Sequence, residues 1–467
     1  MMRGIPTICR AAAATLCGLA TLANAQTPSS TTFSYDAQGN VKTVSDGLGH
    51  KTTFTYDALS RRISATDHNA GVTNYGYDGL DNLVKVTDPR AIVTSYAING
   101  LGHLVKTTSA DTGVTVNTHD ESGNLTSRTD AKLQKTIFRY DSLNRVVHVK
   151  YHDNAIVDYV YDQEPNAIGQ LSQVTDASGT IQYSYDTFGR LASEIRTFGG
   201  TAYTTSYRYD GSGQMSGMTY PSGRRIDYVR DALGRISQIN TSMGSTAAPL
   251  VTNITYQPFG PVQSVTFGNG RSQTRTYDTQ GRLSSFSLPT QTMAVSYDAA
   301  SRITGIADAA NLASGTTYGY DALDRLTNVG TPAAAQTYKY DEVGNRIQKV
   351  NNSAATAYTY GTTNNRLTQV GAQPIATDIN GSITGKGNAT FNYDARGRMV
   401  SANTAIGLVK YIINSMGQRV SKTTPTYTTI FHYDTTGKLI AEATIAGGTT
   451  TTQEYVYLGD MPVAVLK

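Results

Sequence analysis

Tryptophan is absent from this 467-residue chain, and its two cysteines, Cys9 and Cys17, both fall within the segment from Met1 to Ala25. Beyond that segment no disulfide can form, so stability has to come from packing over a long chain. Charge is sparse as well. Arg3 and Arg10 lie in the same segment and no acidic residue does, so the formal charge of +4 falls to +2 without them. That balance excludes a surface built to attract nucleic acid or an anionic membrane. Long apolar runs are also missing. The run from Ala11 to Leu22 is too short to cross a bilayer as a helix. Ala23-Asn24-Ala25 follows, the small-x-small pattern that a signal peptidase cuts. Residues 1–25 are therefore expected to be a signal peptide removed before Gln26, giving a periplasmic, secreted or cell-surface product with no transmembrane segment. An uncleaved amphipathic start is the alternative. Lipid attachment at Cys17 is disfavoured by Leu16, where that motif needs a small residue.

Present in excess are 31 tyrosines and 44 glycines, while helix formers such as Leu, Glu and Lys are thin. Tyr, Thr and Val fit a pleated sheet, so the composition points to β-structure. Tyr-Asp pairs begin at Tyr35, Tyr56, Tyr77, Tyr140 and Tyr161, with Ile98-Asn99 and His119-Asp120 at the two skipped positions. The step between these positions is constant from Tyr35 to Tyr161. A fixed period of this length is the mark of a repeat architecture. The register loosens but continues through Tyr185, Tyr209, Tyr256, Tyr297, Tyr340 and Tyr393 to Tyr433. Residues 26–467 accordingly read as one repeat domain.

Each copy follows Tyr-Asp-x-x-Gly-Arg-apolar, as in Tyr185-Asp186-Thr187-Phe188-Gly189-Arg190-Leu191. Asp opens a type I turn by capping backbone amides, and Gly three residues later accepts the positive φ that closes it. A second turn falls mid-repeat, at Asp46 to Gly49, Asp67 to Gly71 and Asp176 to Gly179. Phe138 and Tyr140, like Tyr183 and Tyr185, are two apart and share one strand face, with small or polar residues opposite. Two short strands and two turns in every repeat predict an all-β fold: a long antiparallel meander that curls, because sheets twist, into a spiral and partly hollow shell. A propeller is disfavoured, since a blade needs a period near 40–45 residues. The tyrosines of the pairs are expected to point into the curl.

Repeated at this spacing, the motif resembles the YD-repeat (RHS) family. Tyr220-Pro221-Ser222-Gly223-Arg224, Phe267-Gly268-Asn269-Gly270, Tyr340-Asp341-Glu342-Val343-Gly344-Asn345-Arg346 and Asn414-Ser415-Met416-Gly417-Gln418-Arg419-Val420 are similar to its variant and late repeats. The resemblance implies a β-ribbon wound into a hollow shell, often around a C-terminal toxin, in toxin-delivery or cell-surface contact systems. Tyr457 to Ala464 resembles the stretch before the family's core-associated segment, and no counterpart of that segment or of the toxin follows, so toxin activity is not carried over. The expected partners are a separately encoded toxin or plug, or a cell-surface ligand such as a glycan. Tyr455 to Leu466 is apolar and β-forming and is expected to be an associating edge.

Catalytic, cofactor and metal sites are all expected to be absent. Of the seven histidines, His103 and His119 stand at the repeat's Arg and Tyr positions, and the others read as ordinary substitutions. His148 and His152 share a zinc pair's spacing, but Val147 to Tyr151 reads as strand and no Glu follows His148. No two carboxyls stand apart from the repeats as a glycosidase would need. Gly268-Asn269-Gly270 lacks a helix after it, and no nucleophile with a paired base is visible. A scaffold without catalytic activity is the leading reading. A carbohydrate-binding adhesion module is the first alternative and a polysaccharide-active β-solenoid enzyme the second.

Overall fold

The computed structural model describes residues 29–258 and 260–467, so the expected leader, residues 1–25, lies outside the described residues. Those described form 42 strands and no helix. Every strand pairs antiparallel with its chain neighbours, from Thr32–Tyr35 with Val41–Ser45 to Thr449–Leu458 with Met461–Leu466. The expected meander is therefore the observed one.

Local chemistry builds each hairpin. Between Lys135–Tyr140 and Val146–Lys150, the Asn144 amide donates to the Asp141 carbonyl (3.1 Å) and the Asp141 amide to the Arg145 carbonyl (3.0 Å). Asn144 takes φ 60°, which closes a type I turn with a bulge. Arg139 faces His148 while Tyr140 faces Val146, so the extra residue, Val147, lies on the outgoing strand. The incoming strand stays regular, which keeps Phe138 and Tyr140 on one face as the spacing predicts. On the other face, hydroxyl pairs recur at the equivalent position: Ser34–Thr43 (2.6 Å), Thr55–Ser64 (2.6 Å), Ser184–Ser193 (2.7 Å) and Thr276–Ser285 (2.7 Å).

The ribbon then returns upon itself. Hydrogen bonds join residues separated by 230 to 277 positions. The mid-repeat turns of the first coil meet the Tyr-Asp turns of the second: Arg90 with Gly361 and Asn365, Lys132 with Asp378, Asp130 with Asn380. A spiral with its coils seamed edge to edge results. Its accessible surface is 26822 Å², against roughly 17,000 Å² for a compact globule of this mass. Away from its buried cores the wall is one sheet thick.

Burial is concentrated in two places. The larger core joins Tyr220, Ile226, Ile239 and Val251 of one coil to Ile440, Val456 and Val463 of the next. The smaller holds Val149, Val157 and Val174 against Phe138 and Tyr183. Tyr77, Tyr140 and Tyr185 are half-buried at the joints between repeats. In the C-terminal stretch Val456 and Val463 pack into the larger core, Val465 is largely open, and Met461–Leu466 pairs on one side only, with Thr449–Leu458.

Candidate functional surfaces

The repeat signature is a joint between neighbouring repeats. Asp141 Oδ1 accepts from the amides of Leu143 and Arg145 (both 2.9 Å), and its Oδ2 pairs with Arg145 Nε at 2.7 Å. The Arg145 guanidinium lies 4.3 Å from the centre of the Tyr161 ring in the next repeat. The Tyr161 hydroxyl reaches back to the Val146 carbonyl, 3.2 Å away, just beyond that arginine. The same stack recurs at Arg61–Tyr77, Arg235–Tyr256 and Arg325–Tyr340. The same hydroxyl bond recurs at Tyr140, Tyr277 and Tyr340. These bonds hold the turn carboxyls below their ordinary range: Asp141 chiefly through the Arg145 amide, Asp186 chiefly through the Arg190 side chain.

The histidines follow the same geometry. His103 and His119 stack at 4.8 Å where Arg and Tyr would stand, and Asn117 Nδ2 supplies the bond to the Leu104 carbonyl (3.1 Å) that a tyrosine hydroxyl would make. His50 pairs with Asp46 at 2.9 Å in the manner of a turn arginine. His148 lies on a strand bonded to Asp158 (2.6 Å), while His152 sits in an exposed turn. Asp46, His50 and Asp324 come within 4.8 Å of one another across the coil seam. Asp324 already pairs with Arg302 (2.8 Å), so the three read as part of an ion-pair network.

Sequence reasoning missed the seam. Asp111 accepts from the Asn365 amide (2.6 Å), and Arg366 donates to the carbonyls of Asp111 (2.7 Å) and Ile379 (2.7 Å). Farther along, the Tyr220 hydroxyl bonds the Tyr455 carbonyl (2.8 Å), and Ser222 and Arg224 both hold the buried Glu454. His432 is packed against Tyr203 at 4.5 Å; burial, helped by Arg196, lowers its pKa to about 4. Two clefts open along the seam. One of about 420 Å³ is bordered by Arg128, Asp130, Tyr151 and Arg396. The other, about 210 Å³, is walled by Tyr207, Tyr220, Tyr228 and Tyr457.

The teneurin YD-shell profile matches residues 19–172 and 289–428, more than half of the chain, and the RHS repeat profile matches residues 166–202. The chain belongs to the teneurin YD-shell family. No curated protein matches the sequence significantly. Among solved structures, the crystal structure of TcdB2-TccC3-TEV is similar over 91% of this chain and 28% of its own, with a TM-score of 0.74 and 17% identity. The Tc holotoxin pore of Photorhabdus luminescens gives 0.75 at 17% identity, over 91% of this chain and 27% of its own. This YD-shell chain thus spans less than a third of either of these solved chains, and at that identity the likeness establishes the fold alone.

Proposed function

We propose that this YD-shell chain, with residues 26–467 as a single repeat domain, is an exported wall: a scaffold that encloses or presents another polypeptide in a toxin-encapsulating or cell-surface contact system and has no catalytic activity of its own. The observation that carries this reading is the seamed spiral, because a wall one sheet thick outside its cores leaves both faces accessible there and spends its signature side chains on joints. The likeness to a holotoxin supports it. The chain is exported after cleavage near Ala25/Gln26, and its partner is a separately encoded toxin, plug or surface ligand. Co-expression with the polypeptides encoded next to it, followed by limited proteolysis, tests this. A partner that co-purifies and resists protease only in the complex is the expected result, with an intact mass beginning at Gln26. Recovery of the chain alone, with residues 1–25 retained, would overturn it. The tyrosine-walled cleft favours glycan binding as the second reading, which a glycan array tests directly.

A further inference from the structure

A meander has two rims, one carrying the Tyr-Asp turns and the other the mid-repeat turns, and the seam joins opposite rims of successive coils. That leaves the Tyr-Asp rim of the first coil and the mid-repeat rim of the second without a neighbouring coil. Most tips of the free Tyr-Asp rim are apolar, with exposed Gln38, Ser122 and Ser212 at the remaining ones and Asp81 exposed beside Leu80. Along the free Tyr-Asp rim, Leu59, Leu80, Leu101, Leu143, Phe188 and Leu233 occupy the same turn position and are 67% to 80% exposed. At that position on the covered rim, Leu323 and Val343 are half-buried, and Asn380 and Arg396 are polar and engaged across the seam. The mid-repeat turns of the first half of the first coil carry charge, Asp46, Asp67, Asp88, Arg90, Asp130 and Lys132 among them, while its later turns Gly199-Gly200 and Gly244-Ser245 carry none. The free ones, residues 288–291, 309–310, 331–334, 352–353, 371–372, 387–388, 405–406, 424–427 and 447–448, carry none apart from Asp308, which opens the second. Ile406 within them is 77% exposed.

We propose that a second copy of this chain docks head to tail, its nearly uncharged mid-repeat rim seating on the largely apolar Tyr-Asp rim of the first and continuing the spiral across the molecular boundary. The internal seam is the template. Coils of one ribbon share a curvature, so a copy displaced along the spiral axis meets the free rim as the second coil meets the first. Inside the molecule charged turns meet a mixed rim, apolar at Leu323 and Val343 and polar at Asn380 and Arg396, and uncharged turns are left to meet apolar tips between molecules. Six side chains exposing roughly 100 Å² each, with the turn backbone between them, approach the ~800 Å² that one side of a standard interface buries. The contact is heterologous, so it propagates unless a partner caps it.

Sedimentation velocity on the purified chain over a hundredfold concentration range tests the proposal. Mass is expected to rise in steps of one chain. L59E/L101E/F188E on one rim and A333E/I406E on the other should each sediment as monomers with unchanged melting temperatures, since all five side chains are outside the core. Mixed together, the two variants should form a dimer that grows no further, because each keeps one intact rim. A wild-type chain that stays monomeric throughout would overturn the proposal. So would an A333E/I406E variant that still self-associates, which is the result expected of two apolar rims pairing face to face, or a mixture that fails to pair.

Discussion

Tyrosines of the Tyr-Asp pairs donate to the carbonyl beyond the previous turn, and several, such as Tyr161 and Tyr209, are also platforms for the previous repeat's arginine. Tyr140, half-buried, donates to the Leu125 carbonyl at 3.0 Å. Tyr140→Phe removes that bond alone and is expected to cost about 1 kcal/mol. Tyr140→Ala also removes the ring and should cost ~3 kcal/mol. Urea unfolding of both variants checks the ratio; equal losses would mean that the ring contributes nothing. His432 makes a second prediction. Burial holds it neutral down to about 4, below the ordinary 6.5, so the folded state binds fewer protons than the unfolded one between those values. Stability is therefore present above pH 6.5 and lost as pH falls toward 4, by at most about 3 kcal/mol. The turn aspartates, also depressed, lose their contribution only below pH 4 or so. His432→Gln should flatten the upper window and leave the lower one, as read by denaturant titration at pH 7, 5 and 3. The turn carboxylates were legible in the sequence because a capped type I turn is chemistry among near neighbours in the chain. The destination of the hydroxyl was not, since its acceptor lies 10 to 20 positions back and across the sheet.

At the scale of the hairpin, the repeat asks for a positive φ at a fixed position and the sequence does not always supply glycine. Gly189 takes φ 72° with open space where a Cβ would stand. Leu133, at φ 61° and 84% exposed, holds the same conformation with a side chain that gains nothing from it. A left-handed residue other than Gly costs ~1–2 kcal/mol, partly offset by the chain entropy that glycine gives up. Leu133→Gly is therefore expected to stabilise by ~0.5 kcal/mol and Gly189→Ala to destabilise by ~1 kcal/mol. Melting temperatures moving in opposite directions would agree; a fall in both would mean that local packing outweighs the backbone. The strand faces were legible in full, because period-two spacing survives when the bulge falls on the outgoing strand. The hydroxyl pairs on the far face were legible only as small residues, since cross-strand register is set by that bulge and not by residue type.

At the scale of the molecule, closure depends on a few long side chains that span the seam. Arg90 is the densest of these: its Nη1 donates to Asn365 Oδ1 (2.7 Å), its Nη2 to the Gly361 carbonyl (2.8 Å), and its Nε lies 3.6 Å from Asp341. Nothing in the repeat announces it, because the length of a coil is the accumulated twist of many strands and leaves no local pattern. Hairpins would form without the seam, each stabilised by its own turn and its joint to the next. Removing a largely buried charge with several acceptors leaves those acceptors unpaired, which costs on the order of 3 kcal/mol. Arg90→Ala should thus open the spiral before it melts the ribbon. Hydrogen exchange is expected to rise first at Gly361 and Asn365, while amides of hairpins far from the seam, such as Asn144, keep their protection. The companion variant Arg366→Ala, which removes bonds to Asp111 and Ile379 on the same stretch, should add less to Arg90→Ala than it costs alone, because a seam already open has nothing more to lose there. Full additivity of the two, or uniform loss of protection along the chain, would mean that coil and ribbon unfold as one unit and that the seam is not a separable element of the shell.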